Sequence, residues 1–481
     1  MKPDGLIICG LSCVNFCDNA NNCGVLPGHM KKKPLLIIPI ETKVREFDAK
    51  LLLAIVALRQ GFDVVIGALW ELKFHTDLLD RGIFLDKSIA KTKQQWFRCC
   101  RRQGHRVAAL DEEGLVYFDA ETYRQLRIFP KSMEAADLFF AWGKDQAEVT
   151  APAIGRLSER VRITGNPRFD LLRPALRRLY EEDVVRLRKQ YGRIIQINTS
   201  FSFANSANDP KALLRTFSQY PIAEERPGFF EGWMAVQQKV LESFREMLPR
   251  IRKRFPEHTI IIRPHPSEGL ELWQELANTL DKTTVIREGN VVPWILASDV
   301  LVHWNCTTAI EALLLGKPAI AYRKEQSDSY EQPLPNACSF HATGIDELLE
   351  MLDLALQENL IHAKEEISKQ FEILQHHISS LQGSFASEKM VEELLQLSRS
   401  FERQRNIPQQ SIQMLKRLWR AVLDQVDSSR HIRDQYIAGK FPDTTVEEVE
   451  ERVLLLKECI DYNDNVTVRK ECRNCFFLSA A

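Results

Sequence analysis

Three short stretches hold the residues best suited to chemistry: Asp111-Glu112-Glu113-Gly114, Arg263-Pro264-His265-Pro266, and Asn305-Cys306-Thr307-Thr308 running into Glu311. Adjacent carboxylates repel each other, which can raise one pKa and suit that group to accept a proton. Gly114 lets the backbone turn sharply behind them. The plain alternative is a solvated acidic turn. In the second stretch two prolines bracket one histidine and fix its backbone surroundings. A preset imidazole there can donate to a phosphate oxygen of a leaving nucleotide, while Arg263 adds charge or pairs with a carboxylate at the sheet edge. In the third, the threonine hydroxyls cap a helix whose first N–H groups and positive dipole end favour an anion. Glu311, one turn in, can reach a ribose or another donor hydroxyl. An acidic pair, a histidine and a hydroxyl pair are the parts of a group-transfer enzyme that uses an activated phosphate donor.

Each stretch follows an apolar run that reads as a buried strand, so all three belong at the carboxyl ends of parallel strands, where open α/β sheets bind ligands. Leu35 to Ile40 is one such run, Phe47 to Leu58 has helical spacing, and Asp63 to Leu69 is apolar again, which makes a βαβ unit. The alternation continues through Arg106 to Leu110, Leu138 to Ala141 and Arg160 to Ile163, ending at Thr164-Gly165-Asn166-Pro167-Arg168-Phe169-Asp170. Arg173 to Lys189 is a charged connecting helix. A second alternation starts at Arg193 to Asn198, includes Thr259 to Ile262 and Asp299 to His303, and closes with Pro318 to Tyr322. The fold class is therefore α/β, with two Rossmann-like domains facing a cleft. Residues 34–175 form the N-terminal, acceptor-side domain and 190–385 the nucleotide-donor domain. Residues 386–481 form a helical extension and tail, including a helix from Ile412 to Val426; the last twenty or so residues read as disordered. Residues 1–33 read as a disordered, cysteine-containing tail. Glu46, Gly165, Asn166, Thr199 and Ser200 follow strand ends and are expected to face substrate.

The 481 residues exceed what one core supports. A formal net charge of -1 gives no basic field for nucleic acid. No apolar run reaches the about 18 residues of a membrane span, and the start lacks the apolar core of a signal peptide, so a cytoplasmic protein is expected. Arg98, Arg101, Arg102, Arg106 and His105 form a basic patch suited to an anionic acceptor or a lipid headgroup, which allows peripheral contact with the inner membrane. Of the eleven cysteines, Cys9, Cys13, Cys17 and Cys23 crowd the start without forming two CxxC pairs, and Cys459, Cys472 and Cys475 lie near the end. Cys99, Cys100 and Cys306 read as small buried hydrophobes. The odd total speaks against a disulfide framework. No strand-end DxD, GxGxxG or GxxxxGK[ST] motif is present, so neither a metal nor an ATP or NAD cofactor is expected.

Glu112-Glu113-Gly114, His265-Pro266 and Thr307-Thr308 together resemble the motif set of bacterial sialyltransferases and polysialyltransferases of the GT-B fold. More broadly, 35–322 resembles proteins of bacterial surface carbohydrate biosynthesis, through Thr164 to Leu172 and Arg263 to Glu268. The His-Pro element is also similar to that of CDP-glycerol glycerophosphotransferases of wall teichoic acid and of capsular Kdo transferases. Thr164-Gly165-Asn166-Pro167 is similar to a segment of UDP-N-acetylglucosamine 2-epimerases. The resemblance implies a GT-B glycosyltransferase with Glu112 as base, Glu113 as the reserve assignment, and His265, Thr307 and Thr308 at the donor phosphate; Arg263, Pro266, Asn305 and Glu311, at the same strand ends, are expected beside them at the nucleotide. It implies a nucleotide-sugar donor, CMP-activated and of sialic-acid, nonulosonate or Kdo type, and a glycan or lipid-linked glycan acceptor. It leaves open a CDP-polyol phosphotransferase, an epimerase, and a non-catalytic component of envelope-glycan assembly.

Overall fold

A computed structural model describes residues 32–207, 209–401 and 437–481. Most of the expected N-terminal tail, with its four cysteines, and the expected helix from Ile412 to Val426 lie outside the described residues. No helix among the described residues is long and apolar enough to cross a membrane.

The apolar runs become strands buried on both faces, as parallel strands between helical layers must be. β1 (Leu35–Ile40), β2 (Asp63–Ala68), β3 (Ile83–Asp86), β4 (Arg106–Leu110), β5 (Leu138–Ala141) and β6 (Val161–Ile163) run parallel in the order β2-β1-β3-β4-β5-β6. The second lobe repeats the plan with β7 (Ile194–Asn198), β8 (Thr259–Arg263), β9 (Thr283–Val285), β10 (Val300–His303), β11 (Ala319–Tyr322) and β12 (Phe340–Ala342), ordered β12-β11-β10-β7-β8-β9. Strand order reverses beside β1 in one sheet and beside β7 in the other. These are the switch points at which open α/β sheets form a crevice. The two Rossmann-like lobes of a GT-B architecture are therefore present.

The tail differs from expectation. β13 (Val466–Cys472) and β14 (Cys475–Ala480) form an antiparallel hairpin, and β14 pairs antiparallel with β2, extending the first sheet to eight strands. Asn474 takes the left-handed turn conformation (φ 54°) that asparagine tolerates. β13 reads as polar because much of it faces solvent, yet its pairing through β14 covers an edge that β2 would otherwise expose. Among the described residues of the extension, the helices Ala386–Ser398 and Val446–Cys459 precede the hairpin. Both helices pack on the first helix, Lys43–Arg59, and Arg452 holds Asp48 with two bonds of 3.0 and 2.8 Å. That is why Leu51 to Leu58 is apolar all round: neighbours cover the helix on every side.

The connector is also not one helix. Pro174 opens a 3-10 segment, Pro174–Tyr180, which buries Leu176, Leu179 and Tyr180, and the helix Glu181–Tyr191 follows. Between β7 and the long helix Phe229–Arg254 lie two short helices, Pro210–Phe217 and Pro221–Glu225. Their aromatic cluster reaches the first lobe, where Phe118 sits edge-on to Trp233 with centroids 4.9 Å apart.

Candidate active site

β4 delivers Asp111-Glu112-Glu113-Gly114 to the cleft edge, and Asp111 anchors the turn. Its carbonyl accepts from Trp142 Nε1 at 2.6 Å and its carboxylate from Tyr123 at 2.9 Å and Arg127 Nε at 3.1 Å. Gly114 is required by a close approach: a Cβ there would lie 2.0 Å from Gln146 Nε2. With the backbone so fixed, the two glutamates diverge. The Glu112 side chain is 4% exposed and sits 3.3 Å from Lys50 Nζ, inside the first lobe. The Glu113 side chain is 54% exposed, held by Arg127 at 2.9 Å with Arg45 at 3.8 Å. The preference for Glu112 as the cleft-facing base is thereby corrected: burial against Lys50 turns it away. The expected carboxylate repulsion does not govern Glu113 either. Partial burial pushes its pKa up, but Arg127, Arg45, Lys87 and His265 together hold it below the ordinary glutamate value.

Glu46 is a scaffold residue and does not face substrate. Fully buried, it accepts from the backbone N–H groups of Glu41 and Thr42 at 3.1 and 3.2 Å and from Lys50 Nζ at 2.7 Å. Burial opposes its ionisation, but Lys50 and Arg45 outweigh that and lower its pKa. Its role is to fix the loop after β1 that carries Arg45. Lys87, directly after β3, is paired with Glu41, and burial and then Lys93 depress its ammonium to about 8.

On the opposite lobe the Arg263 to Glu268 loop is organised by a residue that motif reasoning passed over. Glu268, fully buried, accepts from Thr199 Oγ1 at 2.7 Å, Trp273 Nε1 at 3.0 Å, and the N–H groups of Phe201 and His265 at 3.0 and 3.1 Å. Its signal in the sequence is an acid three residues after a strand-end histidine. Thr199 is thus committed to Glu268, and Ser200 donates to the Trp304 carbonyl at 2.6 Å, so neither faces substrate as expected. His265 is exposed to the cleft while its Nδ1 is held: Ser267 N–H donates to it at 3.3 Å and Ser267 Oγ lies at 2.6 Å. A backbone N–H can only donate, so Nδ1 is the acceptor and Nε2 carries the hydrogen that a ligand would meet. Desolvation within the cleft lowers the His265 pKa against Glu268, with Arg45 adding to the lowering and Glu113 opposing it. Pro266 is exposed beside it.

Two other expected phosphate ligands are occupied. Arg263 donates to the Glu288 and Gly289 carbonyls at 3.2 and 3.1 Å and stacks on Trp294, and burial lowers its pKa to about 10. Asn305 donates to the Tyr330 carbonyl and accepts from Gln332 N–H, each at 3.0 Å. The threonines do not cap the helix Thr308–Leu314 with their side chains. Thr308 accepts from Asn198 Nδ2 at 2.8 Å and donates to Cys306 Sγ at 3.0 Å, whereas Thr307 is exposed.

Glu311 couples the lobes. Its Oε1 accepts from Arg168 Nη2 at 3.0 Å, while Oε2 is buried without a hydrogen-bond partner, and burial raises its pKa despite Arg168. Arg168 is placed by the Thr164–Pro167 turn. Asn166 caps the helix Pro167–Asp170 through the Arg168 N–H at 3.0 Å, and Gly165 (φ 87°) runs so close to Ser379 that a Cβ would meet its carbonyl oxygen at 2.5 Å. Gly165 and Asn166 therefore position Arg168 and do not themselves face substrate. Of the basic patch, Arg98, Arg101 and Arg102 are exposed; Arg101 and the half-buried Arg106 both pair with Asp137, and His105 is buried, its pKa lowered by burial to about 4. Lys87 after β3, Arg127 and Arg168 on neighbouring helices, Ser202 with its Oγ 3.4 Å from His265 Nδ1, and Ser267 and Glu268 in the loop after β8 complete the site.

No protein-family model matches the chain, and no curated protein matches it. Among solved structures it is similar to the UDP-GlcNAc 2-epimerase of Neisseria meningitidis bound to UDP-GlcNAc, at 15% identity and a TM-score of 0.46, over 76% of this chain and 100% of that one. It is similar to the UDP-GlcNAc 2-epimerase of Methanocaldococcus jannaschii at 12% identity and 0.46, over 76% and 99%. It is also similar to the wall teichoic acid polymerase TagF at 11% identity and 0.45, over 77% and 90%. Nothing about chemistry follows from similarity this distant.

Proposed function

We propose that this chain is a glycosyltransferase of GT-B type that passes a sugar from a nucleotide-activated donor to an acceptor hydroxyl in surface polysaccharide assembly. The observation that carries the reading is the opposition of Glu113 and His265, a carboxylate held ionised after β4 and an imidazole with an Nε2–H donor after β8. Glu113 takes the acceptor proton as the anomeric carbon loses its bond to the donor phosphate. His265 Nε2–H, with the exposed Thr307 hydroxyl, stabilises charge developing on the departing phosphate. The donor, on the motif resemblance, is a CMP-activated sugar of sialic-acid, nonulosonate or Kdo type, and the acceptor a glycan or lipid-linked glycan.

A CDP-polyol phosphotransferase with His265 as base is the second reading. The lowered imidazole pKa favours it, since a neutral ring can accept a proton. The donation of Ser267 N–H into Nδ1 favours the donor role instead. Thermal shifts with CMP, CDP, UDP and GDP separate the two, because a ligand of the folded state raises its stability by mass action. CMP preference supports the first reading and CDP preference the second. In the first, Glu113→Gln lowers turnover by at least about a hundredfold while CMP stabilisation persists. Normal turnover in that variant would remove Glu113 as base.

A further inference from the structure

Outside the cleft, the C-terminal hairpin meets the short helix Leu69–His75. That helix leaves β2 directly, and β14 pairs with β2 from Cys475↔Gly67 to Leu478↔Val64, so the hairpin turn lies beside the start of the helix. A Cβ on Gly67 would meet the Asn474 carbonyl oxygen at 2.2 Å, which shows how closely the turn is seated. Glu71 and His75, four residues apart, share one helix face, with Nε2 and Oε2 3.6 Å apart. One donor atom each from Glu71, His75 and Cys472 lie within 4.8 Å of one another. Cys475 stands directly opposite Cys472 in the ladder, which puts both side chains on one sheet face. Both cysteines are free thiols.

We propose that Glu71, His75 and Cys472 bind a zinc ion, with Cys475 supplying the fourth ligand. Two sulfurs, an imidazole and a carboxylate form a donor set that selects zinc over the oxygen-seeking cations calcium and magnesium. Tetrahedral zinc sets its ligand atoms about 3.5 Å apart, a spacing that side-chain rotation reaches from the present one. The ligands come from both ends of the chain, so the ion fastens the hairpin to the first lobe. The bland reading is an ordinary Glu–His pair beside two hairpin thiols.

The test titrates Co²⁺ and then Zn²⁺ into the full, reduced chain and into Cys472→Ser and His75→Ala, with circular dichroism confirming that each variant folds. The cysteines at 9–23 are common to all three proteins, so differences report on this site alone. The expected result is a thiolate-to-cobalt charge-transfer band in the parent that Cys472→Ser weakens, since Cys475 alone then supplies a thiolate. Zinc affinity should fall at least about tenfold in each variant, and zinc should raise the Tm of the parent more than that of Cys472→Ser. Equal zinc affinity in the parent and both variants overturns the proposal. So does a parent in which cobalt produces no band dependent on Cys472.

Discussion

At the scale of single residues, the cleft is arranged by groups that never touch substrate. Glu268 holds the backbone of His265 and Phe201 and the side chains of Thr199 and Trp273, so one buried carboxylate fixes the donor-side histidine. Glu268→Gln turns one acceptor oxygen into a donor and leaves a buried N–H or hydroxyl without its partner. It should cost about 1–3 kcal/mol in denaturant unfolding and weaken nucleotide binding, read by calorimetry. Unchanged values of both would show that the loop is held by other contacts. Glu113 makes a pH prediction. Its pKa lies below the ordinary value, so the carboxylate is ionised at every pH above that point and its base function is lost only as pH falls through it. The acid limb of kcat/KM in the free enzyme should therefore lie below the ordinary glutamate value of about 4.3. A limb near neutrality would assign the base elsewhere.

At the scale of elements, the start of the helix Ala386–Ser398 is held by one side chain of the first lobe. Asp170 accepts from the N–H groups of Ala386 and Ser387 at 2.8 and 2.9 Å and from the Ser387 hydroxyl at 2.6 Å. Asp170→Ala removes the acceptor for two N–H groups at the buried start of that helix. The expected loss is about 1–3 kcal/mol, with faster amide exchange confined to 386–398 and the segments packed on it. Exchange rates like those of the parent would mean that apolar packing alone holds the helix. The element boundaries were largely legible: β1, β4, β8 and β10 coincide with apolar runs because strands buried on both faces need unbroken hydrophobicity. The hairpin β13–β14 was not, since its first strand is half solvated and its partner, β2, lies some four hundred residues away in sequence.

At the scale of the molecule, the lobes are joined by an ion pair between Arg168 and Glu311, by Arg177 donating to the Leu314 carbonyl at 2.7 Å, and by the Phe118–Trp233 contact. Arg168→Ala leaves the Glu311 carboxylate buried without its cation, which destabilises the fold where the group is ionised. Burial already raises the Glu311 pKa, and losing Arg168 raises it further. A carboxyl whose folded pKa is raised binds a proton more readily folded than unfolded, so the variant regains stability as pH falls. The Tm deficit against the parent should thus shrink between pH about 8 and pH about 5. A deficit constant over that range would place the Arg168 contribution in packing.

The sequence by itself determined the two parallel-sheet lobes and the strand ends at which polar residues gather, because apolar periodicity and length dictate buried strands and their helical crossovers. It also brought Glu113, His265, Thr307 and Glu311 to notice through their residue types. Only the tertiary structure decided direction. It turned Glu112 toward Lys50 and Glu113 toward the cleft, and it committed Arg263, Asn305, Thr199 and Ser200 to internal bonds. It also drew Arg127, Arg168 and Glu268 into the site. A side chain's direction depends on which donors and acceptors surround it, and those partners come from elements distant in the chain.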